Sequence, residues 1–303
     1  MKLKIKLLFL LTVLILAVNA NANEKNQFQA AIFDEGNITT DSTYELCTSF
    51  TPDGKRVYFC KTKRYESSPF TIYYADLLED GKWSEPKLVP FSGRYSDVDP
   101  FVAPDGSKLY FVSQRPDTVD NDIPKHDFDI WVVDLLEDGW GEPQKLGQII
   151  NNKSNQFYPT VSRSGTLYFS SMNEGTFGVH DIYCSYLING EYTEPVNLGA
   201  KINTGDNDYE PFIDPDERYL IFCRNDDLYI SFNDNGVWTE ARSLGPKVNT
   251  VVKEGKPYVS TDGKYLYFTS TINGRGDIFR ILMSELGIEA ELSRLNSRSS
   301  ADQ

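Results

Sequence analysis

Residues 102–111 read VAPDGSKLYF, and this stretch decides the fold. Small and β-branched residues run into Pro-Asp-Gly, a turn sequence, and Leu-Tyr-Phe follows. That is a strand, a tight turn and a second strand. The phrase returns along the chain as SFTPDGKRVYF (49–59), PTVSRSGTLYF (159–169), PFIDPDERYLIF (211–222) and PYVSTDGKYLYF (257–268). The closing residues Phe59, Phe111, Phe169, Phe222 and Phe268 are 52, 58, 53 and 46 residues apart. A period of this length marks a repeat architecture.

Each hairpin is followed by a third strand: TIYYADL (71–77), DIWVVDL (129–135), DIYCSYL (181–187), DLYISF (227–232) and DIFRILM (277–283). In the last four an Asp opens the strand, where its carboxylate can accept N–H bonds from the preceding turn. GKWSEPKL (81–88), GWGEPQKL (139–146), GEYTEPVNL (190–198) and GVWTEARSL (236–244) supply a fourth element, three of them with Glu-Pro. Proline belongs on an edge strand, because its missing N–H can face solvent. The fifth unit lacks this element, and NQFQAAIF (26–33) is available to replace it. The expectation is all-β: a five-bladed β-propeller of four-stranded antiparallel blades, its ring closed by an N-terminal strand. The propeller spans residues 26–285, and 286–303 form a tail, a short helix or disordered.

The start of the chain has a different character. Lys2, Lys4 and Lys6 precede an apolar run from Leu7 to Val18, and Ala20-Asn21-Ala22 fits a small-x-small cleavage site. Residues 1–22 therefore read as a secretory signal peptide cleaved near Ala22, since the run is too short to span a bilayer. The expected compartment is periplasmic or secreted, with no membrane span in the mature chain. The net charge is −14, and loss of three lysines makes it −17. Such a surface repels nucleic acid and anionic lipid.

None of the cysteines, Cys47, Cys60, Cys184 and Cys223, is spaced Cys-x-x-Cys, so a zinc or redox site has no support. A hairpin centred on Asp53-Gly54 sets Cys47 opposite Cys60. Opposed Cβ atoms lie about 4.5–5.5 Å apart. The pair can close a disulfide or remain two buried thiols.

The Pro-Asp-Gly-x-x-Leu-Tyr-Phe phrase followed by Asp-Ile-Tyr resembles the WD-like propeller repeat of the TolB family. The linkers LGQIINNKSNQFYP (146–159), LGAKINTGDNDYEP (198–211) and LGPKVNTVVKEGKP (244–257) are similar to those of envelope proteins that carry OmpA-type peptidoglycan-binding domains. The resemblance implies a periplasmic propeller and does not imply an enzyme. The chain departs from it at Glu217, where the turn glycine should stand, and at LVPFSGRYSDVDP (88–100).

Counting back nine residues from the turn glycine, or from Glu217, gives Glu45, Asp97, Gln156, Asp208 and Glu254. Seven residues back gives Cys47, Asp99, Tyr158, Glu210 and Lys256. Equivalent blades would arrange these around one channel mouth, with Tyr209, Phe157 and Tyr44 as stacking surfaces. An acidic mouth would attract a cation, a sugar or a basic peptide. The plainer expectation is that the carboxylates accept backbone N–H bonds and fix blade spacing. The function expected is a binding or scaffold module for a protein or an envelope polysaccharide or peptidoglycan-associated partner, acting as a monomer without cofactor. The alternative is a carbohydrate-active enzyme, a hydrolase or lyase, using Asp97, Asp208 and Glu210. A catalytic site breaks a repeat, however, and most of these acids are repeat positions. The insert 117–129 offers a weak calcium candidate in Asp117, Asp120 and Asp122, without the spacing of a calcium loop. His126 and His180 sit in loops before third strands, and no nucleophile elbow or phosphate-binding glycine loop is present.

Overall fold

A computed structural model describes residues 27–299 apart from 66, 118–122, 153 and 174. The signal segment and two of the calcium candidates, Asp120 and Asp122, lie outside the described residues. Five antiparallel sheets form a ring. Blade 1 comprises Tyr44–Phe50, Arg56–Thr62, Thr71–Asp76 and Lys87–Leu88. Blade 2 comprises Asp97–Val102, Lys108–Ser113, Asp129–Leu136 and Gln144–Lys145. Blade 3 comprises Gln156–Val161, Leu167–Ser171, Asp181–Ser185 and Val196–Asn197. Blade 4 comprises Asp208–Ile213, Tyr219–Arg224, Asp227–Asp234 and Arg242–Ser243. Blade 5 takes three strands from Glu254–Val259, Tyr265–Ser270 and Asp277–Leu282, and its fourth from Ala31–Ile32. In blades 1 to 3 the two-residue outer strand begins directly after Pro86, Pro143 or Pro195. Proline cannot donate to the ladder, so pairing starts past it.

The second strands pack the core. Phe59, Phe111, Phe169, Phe222 and Phe268 are buried, as are Val57, Leu109, Leu167, Leu220 and Leu266. The turn glycines Gly54, Gly106 and Gly263 have φ near +70°. Glu217 adopts the same conformation at φ +57° without being glycine. Asp214 holds that turn by accepting from the Glu217 N–H through its carbonyl and from Arg218 through its carboxylate.

The shared linker asparagine has a mechanical role. Asn203 accepts from the Ile182 N–H (2.8 Å) and donates to the Ile182 carbonyl (2.9 Å) and to Asn197 Oδ1 (2.8 Å). Asn151 bonds both backbone groups of Ile130, and Asn249 both those of Leu228. Each amide continues the outer edge of its blade where the short fourth strand ends. The first linker has no such asparagine. There Ser92 Oγ accepts from the Ile72 N–H, and the Val89 N–H donates to the Ile72 carbonyl.

One backbone hydrogen bond crosses every blade interface. The N–H that opens the first strand in blades 2 to 5, and that of its second residue in blade 1, donates to the carbonyl just before the third strand of the preceding blade. The bonds are Asp97 to Phe70 (2.9 Å), Gln156 to Phe128 (3.0 Å), Asp208 to His180 (3.1 Å), Glu254 to Asp226 (2.8 Å) and Glu45 to Gly276 (2.9 Å). The last closes the ring. The N-terminal strand reinforces it: Ala31 pairs with Arg280, Ile32 with Phe279, and the Phe33 N–H reaches the Ile278 carbonyl. Phe33 then packs between blades, with ring centroids 5.0 Å from Tyr267, 5.9 Å from Trp83 and 6.1 Å from Phe50. The tail forms helix Ile288–Ser299, docked through Ile288, Leu292 and Leu295.

Two predictions test this closure. Phe33→Ala should cost about 3–5 kcal/mol, the usual cost of truncating a buried Phe. Urea denaturation measures it, and light scattering should show association, because an opened fifth blade bares the edge of 277–282. Asn203→Ala should cost about 1–3 kcal/mol, since it leaves the buried Ile182 N–H unpaired, while the Ile182 carbonyl keeps its bond from the Leu198 N–H. Lys201→Ala, at an exposed position of the same linker, is the neutral control for the same measurement.

Candidate functional site

The structure separates the two rings of candidate residues by depth and role. The strand-opening set is fully buried and its polar atoms are largely satisfied. Asp97 accepts from Ser92 Oγ (2.8 Å), Ser113 Oγ (2.6 Å) and Arg115 (2.8 Å). Asp208 accepts from the Thr204 N–H (2.7 Å), Thr204 Oγ1 (2.8 Å) and Arg224 (2.6 Å). Glu254 accepts from the Thr250 N–H (2.9 Å), Thr250 Oγ1 (2.8 Å) and Ser270 Oγ (2.8 Å). Glu45 takes the same bonds from Thr40 and Thr43, and Gln156 donates to Asn152 Oδ1 and the Ser154 carbonyl. These side chains clamp each linker to the strand it feeds. The expectation that they ring an opening is corrected here: they point into the linker and the second strand. Burial raises the carboxyls of Glu45 and Glu254 above the usual range, against the pull of their hydrogen bonds.

The second set occupies the channel. Each first strand carries a one-residue bulge, at which the register with the second strand slips. The bulged residues are Cys47, Asp99, Tyr158, Glu210 and Lys256, all with φ of 54–55°. Such a conformation costs a non-glycine residue about 1–3 kcal/mol. Together they line a cavity of about 40 Å³ at the channel waist. The Lys256 ammonium lies 3.2 Å from Asp99 Oδ1, 3.5 Å from Glu210 Oε1 and 4.1 Å from the Tyr158 ring centroid. Cys47 Sγ donates to Asp99 Oδ1 (3.1 Å), and the Lys256 N–H donates to Glu210 Oε2 (2.6 Å). Burial raises the Asp99 carboxyl, and the Lys256 charge pulls it partly back. Burial works against the Lys256 ammonium too, but Asp99 and the surrounding groups hold its pKa well above the ordinary value. The waist is thus an ion cluster of two carboxylates about one ammonium, not an acidic ring.

The bulge also corrects the cysteine count. Cys60 pairs with Leu46 and Phe59 with Thr48, so Cys47 is left out of the ladder. Cys47 and Cys60 are free, buried thiols. Hairpin arithmetic assumes an unbroken register, and a bulge adds one residue to one strand only.

Above the waist, on the face that carries the linkers, the channel mouth is largely aromatic. The residue after each strand-opening residue meets the residue before the third strand of the preceding blade. This brings Phe157 to Phe128 (centroids 5.3 Å) and Tyr209 to His180 (6.2 Å). Tyr158 links the two pairs, at 5.9 Å from Phe157 and 6.1 Å from Tyr209. Lys253 Nζ bonds Tyr209 Oη (3.1 Å) and pairs with Asp226 (3.4 Å). Across the mouth Tyr65 contacts Tyr44 (6.2 Å) and Phe70 (5.6 Å). Met172, Phe177 and Val179 are exposed on the same face of blade 3. The sequence reading named His180 only as a loop residue before a third strand and left out Lys253, Tyr65 and Phe128. The signal was present, because His180 and Phe128 directly precede the third-strand Asp of the repeat.

At the opposite end the channel widens to about 490 Å³, floored by Phe50, Phe101, Phe212 and Tyr258. Of the calcium candidates Asp117 is described, and its carboxylate pairs with Lys145 (2.6 Å) and Lys125 (3.4 Å). No cluster of metal-ligating side chains occurs among the described residues.

No protein-family model matches the chain, and no curated protein matches it. Solved structures do. A provisionally named TolB of Agrobacterium tumefaciens is 18% identical, with TM-score 0.48 over 75% of this chain and 70% of that one. A protein of unknown function from Dyadobacter fermentans is 14% identical, with TM-score 0.49 over 85% and 83%. Trypanosoma rangeli sialidase, solved with the inhibitor DANA, is 12% identical, with TM-score 0.47 over 88% and 60%. The propeller assignment rests on the strand pairing itself.

Lys256→Met should cost about 3–5 kcal/mol, because it strands two buried carboxylates. Combining it with Asp99→Asn and Glu210→Gln should restore most of that loss in urea denaturation. Glu254 gives a pH signature. Its folded pKa is raised above 4.5, so the fold binds its proton more readily than the unfolded chain does. Stability from this group therefore falls as pH rises from 4.5 through the folded value. Glu254→Gln removes the contribution, so its deficit in Tm against the parent should narrow from pH 4.5 to pH 7.

Proposed function

We propose that this chain is an exported, monomeric binding module that takes a protein or an envelope polymer at the linker-side mouth of its propeller. The observation that carries the reading is the contrast between waist and mouth. At the waist, two carboxylates share one ammonium around a space of about 40 Å³. That space is about the size of a water molecule or two, not of a substrate. At the mouth, aromatic rings from blades 1 to 4 lie beside the exposed Met172, Phe177 and Val179. Met172, Phe177, Val179 and Tyr65 are the exposed members of this group, and exposed apolar side chains gathered on one face suit an interaction site. The basic and apolar leader ending in Ala-x-Ala supports export, and no helix among the described residues is long and apolar enough to cross a membrane.

The carbohydrate-active alternative draws less support. Asp97 and Asp208 are each held by an arginine and by hydroxyls, so neither carboxylate is free to act as acid or nucleophile.

Site-specific photocrosslinking tests the proposal. A benzophenone side chain is placed at Phe177 or Tyr65, with Leu136 on the outer edge as control, and the full chain is expressed in its own cells. One discrete adduct from both face positions and none from Leu136 is expected. Equal labelling from Leu136, or no adduct at Phe177 and Tyr65, would overturn the choice of surface.

A further inference from the structure

The turn face carries a second concave site. It is the funnel of about 490 Å³ in which the channel ends. Small-molecule sites span roughly 300–1,000 Å³. Phe101, Phe212 and Tyr258 line both this space and the waist cavity, so they form a partition between the two. A ligand here enters from the turn face.

The funnel wall is charged, and its charges do not balance. Two guanidiniums, Arg163 and Arg218, stand against four carboxylates, Asp214, Asp216, Asp262 and Glu289. Both guanidiniums are already engaged. Arg163 Nε donates to Asp216 (2.8 Å), and Arg218 holds Asp214 by two bonds of 2.8 and 2.6 Å. Asp262 accepts from Ser260 Oγ (2.7 Å) and pairs with Lys264 (3.0 Å), whose ammonium is not on the wall. Glu289 is exposed, and its carboxylate makes no ion pair among the described residues. It opens the terminal helix beside the fully buried Ile288, which fixes its place on the rim.

We infer that the funnel binds a small organic cation, an ammonium on an apolar body, with the body on the floor and the ammonium beside Glu289. Charge is the first argument. A cleft lined by an excess of one sign concentrates the opposite ion, and the net charge of −14 acts in the same direction. An anion would find no guanidinium that is not already paired. The floor is the second argument. Phe50, Phe101, Phe212 and Tyr258 are 5%, 8%, 4% and 5% exposed, so they offer an apolar patch without an open ring face. A pyranose needs such a face to stack on, whereas a hydrocarbon body needs only apolar contact. This site lies on the opposite face from the proposed binding surface and goes beyond that reading.

The test titrates the purified full chain with phenethylamine, 2-phenylethanol, 3-phenylpropionate, methyl glucoside and trilysine. Methyl NMR shifts of Val102, Ala103 and Val259 report the funnel, and Leu136 on the outer edge is the control. Saturable phenethylamine binding at the three funnel methyls is expected, tighter than that of 2-phenylethanol, with no binding of 3-phenylpropionate. Glu289→Gln should weaken phenethylamine about two- to fivefold, the worth of one exposed ion pair, and leave 2-phenylethanol unchanged. Several results would overturn the inference: no phenethylamine binding, equal binding of the amine and the alcohol, a preference for 3-phenylpropionate or methyl glucoside, or phenethylamine binding undiminished in Glu289→Gln. Tighter binding of trilysine would overturn it too, by assigning the cation to a polypeptide. The photocrosslinking at Phe177 and Tyr65 reads the opposite face, so either reading can fail alone.

Discussion

One backbone hydrogen bond per interface organises this molecule. The strand-opening N–H of each blade is tied to the carbonyl before the third strand of its predecessor. The bond is indifferent to side chains, so it recurs five times although the residues that make it differ: Glu45, Asp97, Gln156, Asp208 and Glu254. It sets the angle between sheets and holds the start of every first strand against a neighbour. The buried carboxylates then lock the linker onto that fixed point. Glu45 closes the circle by the same bond, so the ring is sealed at its centre as well as at its rim, where Ala31–Ile32 joins blade 5.

With the strand ends held, the chain tolerates a strained residue two positions later. All five bulged residues sit at nearly the same positive φ, although none is glycine. The bulge turns one side chain per blade onto the axis and frees it from the packing rules of the sheet. Its identity is accordingly unconstrained by the repeat, and here it is Cys, Asp, Tyr, Glu and Lys. The collective demand is electrical. Asp99 and Glu210 placed so close together need a cation, and Lys256 provides it. A charge buried without its partner would cost more than the strain that puts it there.

Much of this was legible from residue order. Blade number, the Pro-limited outer strands and the N-terminal closure follow from alternation, turn chemistry and the missing fourth strand. The bulge did not follow. It leaves no compositional mark, and a one-residue offset sends neighbouring side chains to opposite faces. For that reason Cys47 and Cys60 fall out of the register that hairpin counting assigns them, and Glu45 and Asp97 lie within the blade and not at an opening. The Leu-Gly-x-x-Ile/Val-Asn linkers were visible as a pattern, but their purpose is visible only in the paired bonds from Asn203 to Ile182. His180 is legible as a residue before a third strand, and its place in the mouth follows from standing where Phe128 stands in the previous blade.

At the waist the axis holds a space of only about 40 Å³, and variation is displaced to the two faces. On the turn face the channel is closed at its floor by Phe50, Phe101, Phe212 and Tyr258, which contact one another in three pairs about Tyr258. Glu289 of the terminal helix stands on the rim of that funnel. On the linker face the wall positions are interface positions as well, so each side chain there both packs a blade against its neighbour and shapes the mouth. The side chain at such a place can change without loosening the backbone, because the interface bond belongs to the main chain. Gly255 and Gly276 use that latitude: the Glu254 and Glu45 N–H bonds persist at 2.8 and 2.9 Å, while Glu210 and Leu46 fill the space a Cβ would take. The same backbone bond that makes the ring rigid thus lets the residues of its wall vary.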